Sequence, residues 1–180
     1  MNARRFACLF AAAGLLLSIA GLARAQPSEA AIKANFLPRF ARYVAWPAAA
    51  APGARAPFQL CVIGRDPFGR LLDSAASREL IDGHPVAVRR LGSVDRAQGC
   101  HLAFVQGAAP QETSRMLLAL RAQPVLTVTD ARAGPQRGMI HFTIAGGRVR
   151  FFIDDAEAAG RGLSISSRLL ALAAGVRARR

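Results

Sequence analysis

The chain is 180 residues long and carries 24 Lys plus Arg against 11 Asp plus Glu, a formal net charge of +13. The cations are scattered along the chain, adjacent only at Arg4-Arg5, Arg89-Arg90 and Arg179-Arg180, Lys33 is the one lysine, and no basic stripe alternates with aromatics, so a nucleic-acid reader is disfavoured. The charge points instead to an acidic or anionic partner, such as a protein face, lipid head groups or the cell wall, attracted within a Debye length of about 8–10 Å.

In chain order the first feature is Arg4-Arg5, followed by an apolar run from Phe6 to Leu22 and by Ala23-Arg24-Ala25, the small-x-small form of a signal-peptidase site. Cleavage after Ala25 is expected, which makes 1–25 a discarded leader and 26–180 one mature domain exported to the periplasm. A run of about 17 apolar residues sits at the lower limit for a membrane anchor, the competing reading. Cys8 leaves with the leader, and losing Arg4, Arg5 and Arg24 lowers the charge from +13 to +10. A domain of this length buries roughly 70% of its unfolded surface, so it does not need a disulfide to fold.

Ser28 is a plausible helix N-cap, and Ile32, Phe36, Phe40 and Val44 then recur every four residues as one apolar face. Pro38 falls inside this helix and predicts a kink, with the end near Trp46-Pro47. The Ala/Pro/Gly stretch from Ala48 to Pro57 reads as a surface loop. Strands are predicted at Phe58–Ile63, Val86–Leu91, His101–Gln106 and Val125–Thr129, with helices at Phe68–Ala76 and Gln111–Ala122. This alternation predicts a single-domain α/β fold with a mixed, mostly parallel sheet flanked by helices. Met139–Ile144 and Arg148–Ile153, joined through Ala145-Gly146-Gly147, predict a C-terminal antiparallel hairpin.

The spacing of Ile165, Leu169, Leu172 and Val176 then predicts a closing amphipathic helix. Ser164 or Ser166 would cap it, and Arg177, Arg179 and Arg180 would sit at the negative end of its dipole. A partner patch is the other use of those arginines.

Constellations that carry chemistry are mostly missing. Gly64-Arg-Asp-Pro-Phe-Gly69 follows a strand but lacks the full glycine fingerprint and any phosphate-loop lysine, so it reads as a strand-to-helix turn. Ser164, Ser166 and Ser167 have no nucleophile elbow around them. His84, His101 and His141 lack metal-ligand spacing, and no cofactor or metal is expected. Asp154 and Asp155 would point to opposite faces of a strand, which leaves a helix start as their expected role.

Cys61 lies within the first predicted strand and Cys100 opens the third. If those strands are parallel neighbours, the two Cα atoms fall within the roughly 4.4–6.8 Å that a bridge requires. Two buried free thiols are the alternative. A thioredoxin-like site would keep its thiols two residues apart.

Taken together, Ala34-Asn-Phe-Leu37 running into Tyr43-Val-Ala-Trp-Pro47, Cys61-Val-Ile-Gly64 with Asp66-Pro-Phe-Gly69, Cys100-His-Leu-Ala-Phe104 and Val125-Leu-Thr-Val-Thr-Asp130 resemble the YfiR family. The series continues through Gly138-Met-Ile140, Arg148-Val-Arg-Phe151 and Leu163-Ser-Ile-Ser-Ser-Arg-Leu-Leu170, and spans nearly all of the mature chain. The resemblance implies a non-enzymatic periplasmic adaptor that represses an inner-membrane diguanylate cyclase by binding its periplasmic domain. It also implies a homodimer, a disulfide between Cys61 and Cys100, and an outer-membrane lipoprotein as a further partner. Some members carry a second cysteine pair towards the C-terminus, which is missing here. Asp154 stands where the family often has Asn.

Tyr43 and Trp46 are the candidate interface aromatics, since such residues are enriched at hot spots, although packing against the sheet is the first use expected of both. The alternative function is a periplasmic small-ligand binder using the crevice at the carboxyl ends of the parallel strands. A hydrolase or redox enzyme would need a nucleophile within reach of a base, or an exposed bridge.

Overall fold

A computed structural model describes residues 26–179. The expected leader, with Cys8, and the terminal Arg180 lie outside the described residues. Helix α1 runs from Glu29 to Ala41, its N-terminus capped by Ser28 Oγ, which accepts the Ala31 N–H at 3.2 Å. It continues through Pro38 and buries Ala34, Leu37, Phe40 and Ala41. The predicted face is therefore rotated: Ile32 and Phe36 are half-buried, and Val44 lies beyond the helix. The helix stops short of Trp46-Pro47 because the backbone extends to pair β1 (Val44–Ala45) antiparallel with β9 (Ser164–Ile165).

The main sheet is built from β2 (Phe58–Gly64), β3 (Leu80–Ile81), β4 (His84–Leu91), β5 (Leu102–Gln106), β6 (Leu126–Asp130), β7 (Ile140–Ala145), β8 (Arg148–Asp154) and β10 (Gly175–Arg177). Helices α2 (Arg70–Ala76), α3 (Pro110–Ala119), α4 (Asp155–Gly160) and α5 (Ser167–Leu170) connect or follow these strands. The spatial order is β10-β8-β7-β6-β5-β2-β4-β3. From β4 across to β7 all neighbours are parallel; β7 and β8 form the antiparallel hairpin, and β10 is parallel to β8. The mixed, mostly parallel sheet is thus as the alternation of elements predicts. Gly146 and Gly147 close the hairpin with φ of +56° and +70°, a conformation that costs a glycine little.

Strand alternation divides the core in two. On the first face Leu60, Val62, Leu102, Phe104, Leu126, Val128, Ile140, Phe142, Phe151 and Ile153 pack beneath Leu37 and Phe40 of α1 and Leu72 of α2. On the second face Cys61, Ile63, Ala103, Val105 and Val125 pack beneath Met116 and Leu120 near α3 and beside Ala97. The second face continues across the sheet as the row Thr129–His141–Phe152–Gly175. Among the described residues no helix is long and apolar enough to cross a membrane.

The closing helix differs from its expected length. Ser166 Oγ does cap it, accepting the Arg168 N–H at 3.3 Å, but α5 is a single turn. Leu172 is 65% exposed, and Val176 lies in β10 instead of on a helical stripe. The reason is steric and topological: the ring of Phe152 lies against Gly175, where a Cβ would come within 2.8 Å, and this lets the chain pair as a strand beside β8. Arg177 and Arg179 accordingly serve no helix dipole. They pair with Asp154 at 2.6 Å and Asp155 at 2.8 Å.

Candidate functional site

Cys61 and Cys100 are bridged, with Cα atoms 5.9 Å apart. β2 and β5 are parallel neighbours, as the bridge requires, and both cysteines lie in the core of the second face, Cys61 fully buried and Cys100 5% exposed. The sulfurs are therefore enclosed by the protein's own core.

The residue after Cys100 organises the strand entrance. His101 is buried, and its Nδ1 accepts the Gln59 N–H at 2.8 Å, which fixes the neutral imidazole with its proton on Nε2. Its ring stacks on Phe58 with centroids 4.9 Å apart, and Trp46 meets Phe58 edge-on at 5.1 Å. The Trp46 Nε1–H donates to the His101 carbonyl at 3.1 Å. Trp46 and Tyr43 are thus both half-buried and packed against the core, as first expected of them, and each keeps part of its surface exposed. Tyr43 borders a concavity of about 550 Å³ with Arg42, Ser166 and Arg168.

At the carboxyl ends of the parallel strands the protein's own polar groups pair with one another. A Cβ on Gly64 would come within 2.3 Å of the Gln106 carbonyl oxygen, and the Arg65 N–H donates to that oxygen at 2.7 Å. The Asp66 carboxylate accepts the N–H groups of Phe68 and Gly69 and binds Arg90 at 2.7 Å, closing the strand-to-helix turn expected over Gly64–Gly69. Burial opposes ionisation of Asp66, but Arg90 and the two N–H groups outweigh it and hold the carboxyl below the usual range. At the end of β6, Asp130 is buried and bound by Lys33, with the nitrogen and oxygen 2.5 Å apart. Lys33 also reaches Glu29, which Arg132 grips at 2.8 Å; Arg132 and then Lys33 hold the Glu29 carboxyl low. The single lysine is therefore a buried tie between α1 and β6, a role its spacing in the sequence did not announce.

The remaining sequence candidates stay apart. His84 contacts the Ala56 carbonyl at 2.7 Å, while His141 is buried on β7 beside Thr129. Among the described residues no three His, Cys, Asp or Glu side chains gather as a metal set. Asp154 caps α4 by accepting the Glu157 N–H at 2.9 Å, the helix start expected at the paired aspartates.

Two concavities of about 400 and 560 Å³ lie side by side near the β8–β10 edge, sharing Arg137, Gly138, Asp154 and Arg177. Their chemistry is cationic with an apolar floor, and Arg137 sits over the Phe152 ring at 5.5 Å. Sequence reasoning passed over this surface. The alternation Arg148-Val-Arg150 ahead of Phe151-Phe152, which places both arginines on one face of a strand, was its signal.

A family model described as YfiR/HmsC-like matches residues 30–174. No curated protein matches the chain.

Proposed function

From its membership of the YfiR/HmsC-like family, to which the chain belongs and whose members are periplasmic regulators, we propose that this protein represses an inner-membrane signalling protein by binding its periplasmic domain. A diguanylate cyclase is the proposed target. The observation that carries this reading is the match over 30–174, which takes in both the disulfide-stapled core and the hairpin. The carboxyl strand ends, where Asp66 is bound by Arg90 and Asp130 by Lys33, offer a ligand few unpaired polar groups, which supports contact through outer surfaces over capture of a small ligand in the sheet.

The working form is proposed to be the periplasmic chain after removal of 1–25, as a homodimer, with no cofactor and no chemistry of its own. The exposed parts of Tyr43 and Trp46 are proposed as secondary aromatic contacts, and an outer-membrane lipoprotein as a further partner. Co-purification of the tagged chain with solubilised inner membranes, followed by identification of a bound cyclase, tests the reading. Recovery of the chain free of any membrane protein would overturn it.

A further inference from the structure

We propose that the second face of β7, β8 and β10 docks an acidic segment of the partner protein, with carboxylates meeting Arg137, Arg148 and Arg150 and an apolar side chain seated beside Phe152. This names the contact face for the regulatory reading above and rests on that reading.

The strand registers place the residues. Thr143 lies opposite Arg150, Ala145 opposite Arg148, and Phe152 stands between His141 and Gly175, so both arginines and the phenylalanine share one face. Helix α3 packs against β5 on this side and α4 touches β10, while Arg148 and Arg150 of β8 remain exposed. Arg137, Arg148 and Arg150 are exposed, and none has a carboxylate within ion-pair distance among the described residues. Arg177 and Arg161 at the same edge are already matched by Asp154 and Glu157. Arg137 lines both concavities, whereas Arg148 and Arg150 stand outside their lining and extend the Phe152 face along β8; Arg55 and Arg70, also without an ion pair among the described residues, lie on neither.

The shape selects the occupant. The shared lining joins the concavities into one groove from Leu118, which is 55% exposed, to Val176, which is 40% exposed. A groove in which Arg121, Arg137, Arg161 and Arg177 outnumber Asp154 and Glu157, with unpaired arginines continuing along β8, suits a chain segment that alternates acidic and apolar residues. A flat bilayer cannot enter a concavity. A second copy of the chain docking through the same face would bring two arginine clusters together, a like-charge contact that costs affinity.

The test measures anisotropy of a fluorescein-labelled Glu/Leu peptide with the exported chain purified from periplasm, at low salt. Arg148→Glu with Arg150→Glu is expected to weaken binding by ~tenfold, while Arg55→Glu with Arg70→Glu, the same change of charge elsewhere, leaves it within about twofold. Equal losses in the two variants would reduce the effect to net charge and overturn the proposal. So would absence of peptide binding to the unsubstituted chain. Both arginines are exposed, and a circular-dichroism melt confirms the fold of each variant. In cells, a deletion that raises cyclic-di-GMP while the Arg148→Glu, Arg150→Glu chain at wild-type level still represses would discard this face and leave the regulatory function standing. A deletion without effect would discard the function, and the peptide result would still decide the face.

Discussion

The Trp46 indole donates its Nε1–H to the carbonyl oxygen of His101, 3.1 Å away, and so pins the segment after α1 to the strand entrance beside Cys100. Trp46 is thereby a structural residue whatever else it touches. Trp46→Phe keeps a ring against Phe58 but removes the donor, and a loss of about 1 kcal/mol is expected from urea unfolding.

The bridge one residue away closes a loop with a sequence separation of 39. On the chain-entropy account it stabilises by roughly 4 kcal/mol. Cys61→Ala with Cys100→Ala should lower the melting temperature accordingly while leaving partner binding intact well below the transition. Loss of binding in a variant that remains folded would make the bridge a switch.

Stability should fall on mild acidification, and the histidines set the window. His101 Nδ1 accepts from Gln59, and His141 Nδ1 lies 2.8 Å from the Thr129 hydroxyl, which also accepts the Gly138 N–H. Burial, then the charge of His84 for His101 and of Arg137 for His141, holds both protonations below the usual imidazole range. The unfolded chain takes up these protons at about pH 6.5 and the folded chain only below that. The stabilisation is therefore fully present above about pH 6.5, declines as pH falls towards the folded values, and levels off beneath them. Urea midpoints between pH 8 and 5 should show this slope, and His101→Gln should flatten part of it.

Lys33→Ala would strand the buried Asp130 carboxylate and is expected to cost about 3–5 kcal/mol, whereas Lys33→Met with Asp130→Asn should recover most of that loss. Chemical denaturation of the two variants checks the comparison.

Much of this architecture is legible in residue pattern. β2, β5, β6 and the β7–β8 hairpin are short apolar runs bounded by Gly, Pro or Asp, and each lies within a residue or two of where its pattern places it. The C-terminal segment misleads because Leu169, Leu172 and Val176 keep helical spacing, while the determinant is the close approach of Phe152 to Gly175, a contact between residues distant in sequence. Pairs as short as Val44–Ala45 with Ser164–Ile165 carry no period at all. β3 did have a signal, since Asp82-Gly83 is a two-residue hairpin turn with φ of +49° and +86°. The Lys33–Asp130 tie spans residues that only the packing of α1 on the sheet brings together. The basic face had a local signature, but its openness depends on how far α3 extends.

The proposed repression of a membrane cyclase from the periplasm is tested most directly by cellular cyclic-di-GMP in a strain lacking the chain, with and without its restoration. The account predicts a rise on deletion that is reversed by the exported chain but not by the same chain retained in the cytoplasm. Unchanged cyclic-di-GMP on deletion would contradict it.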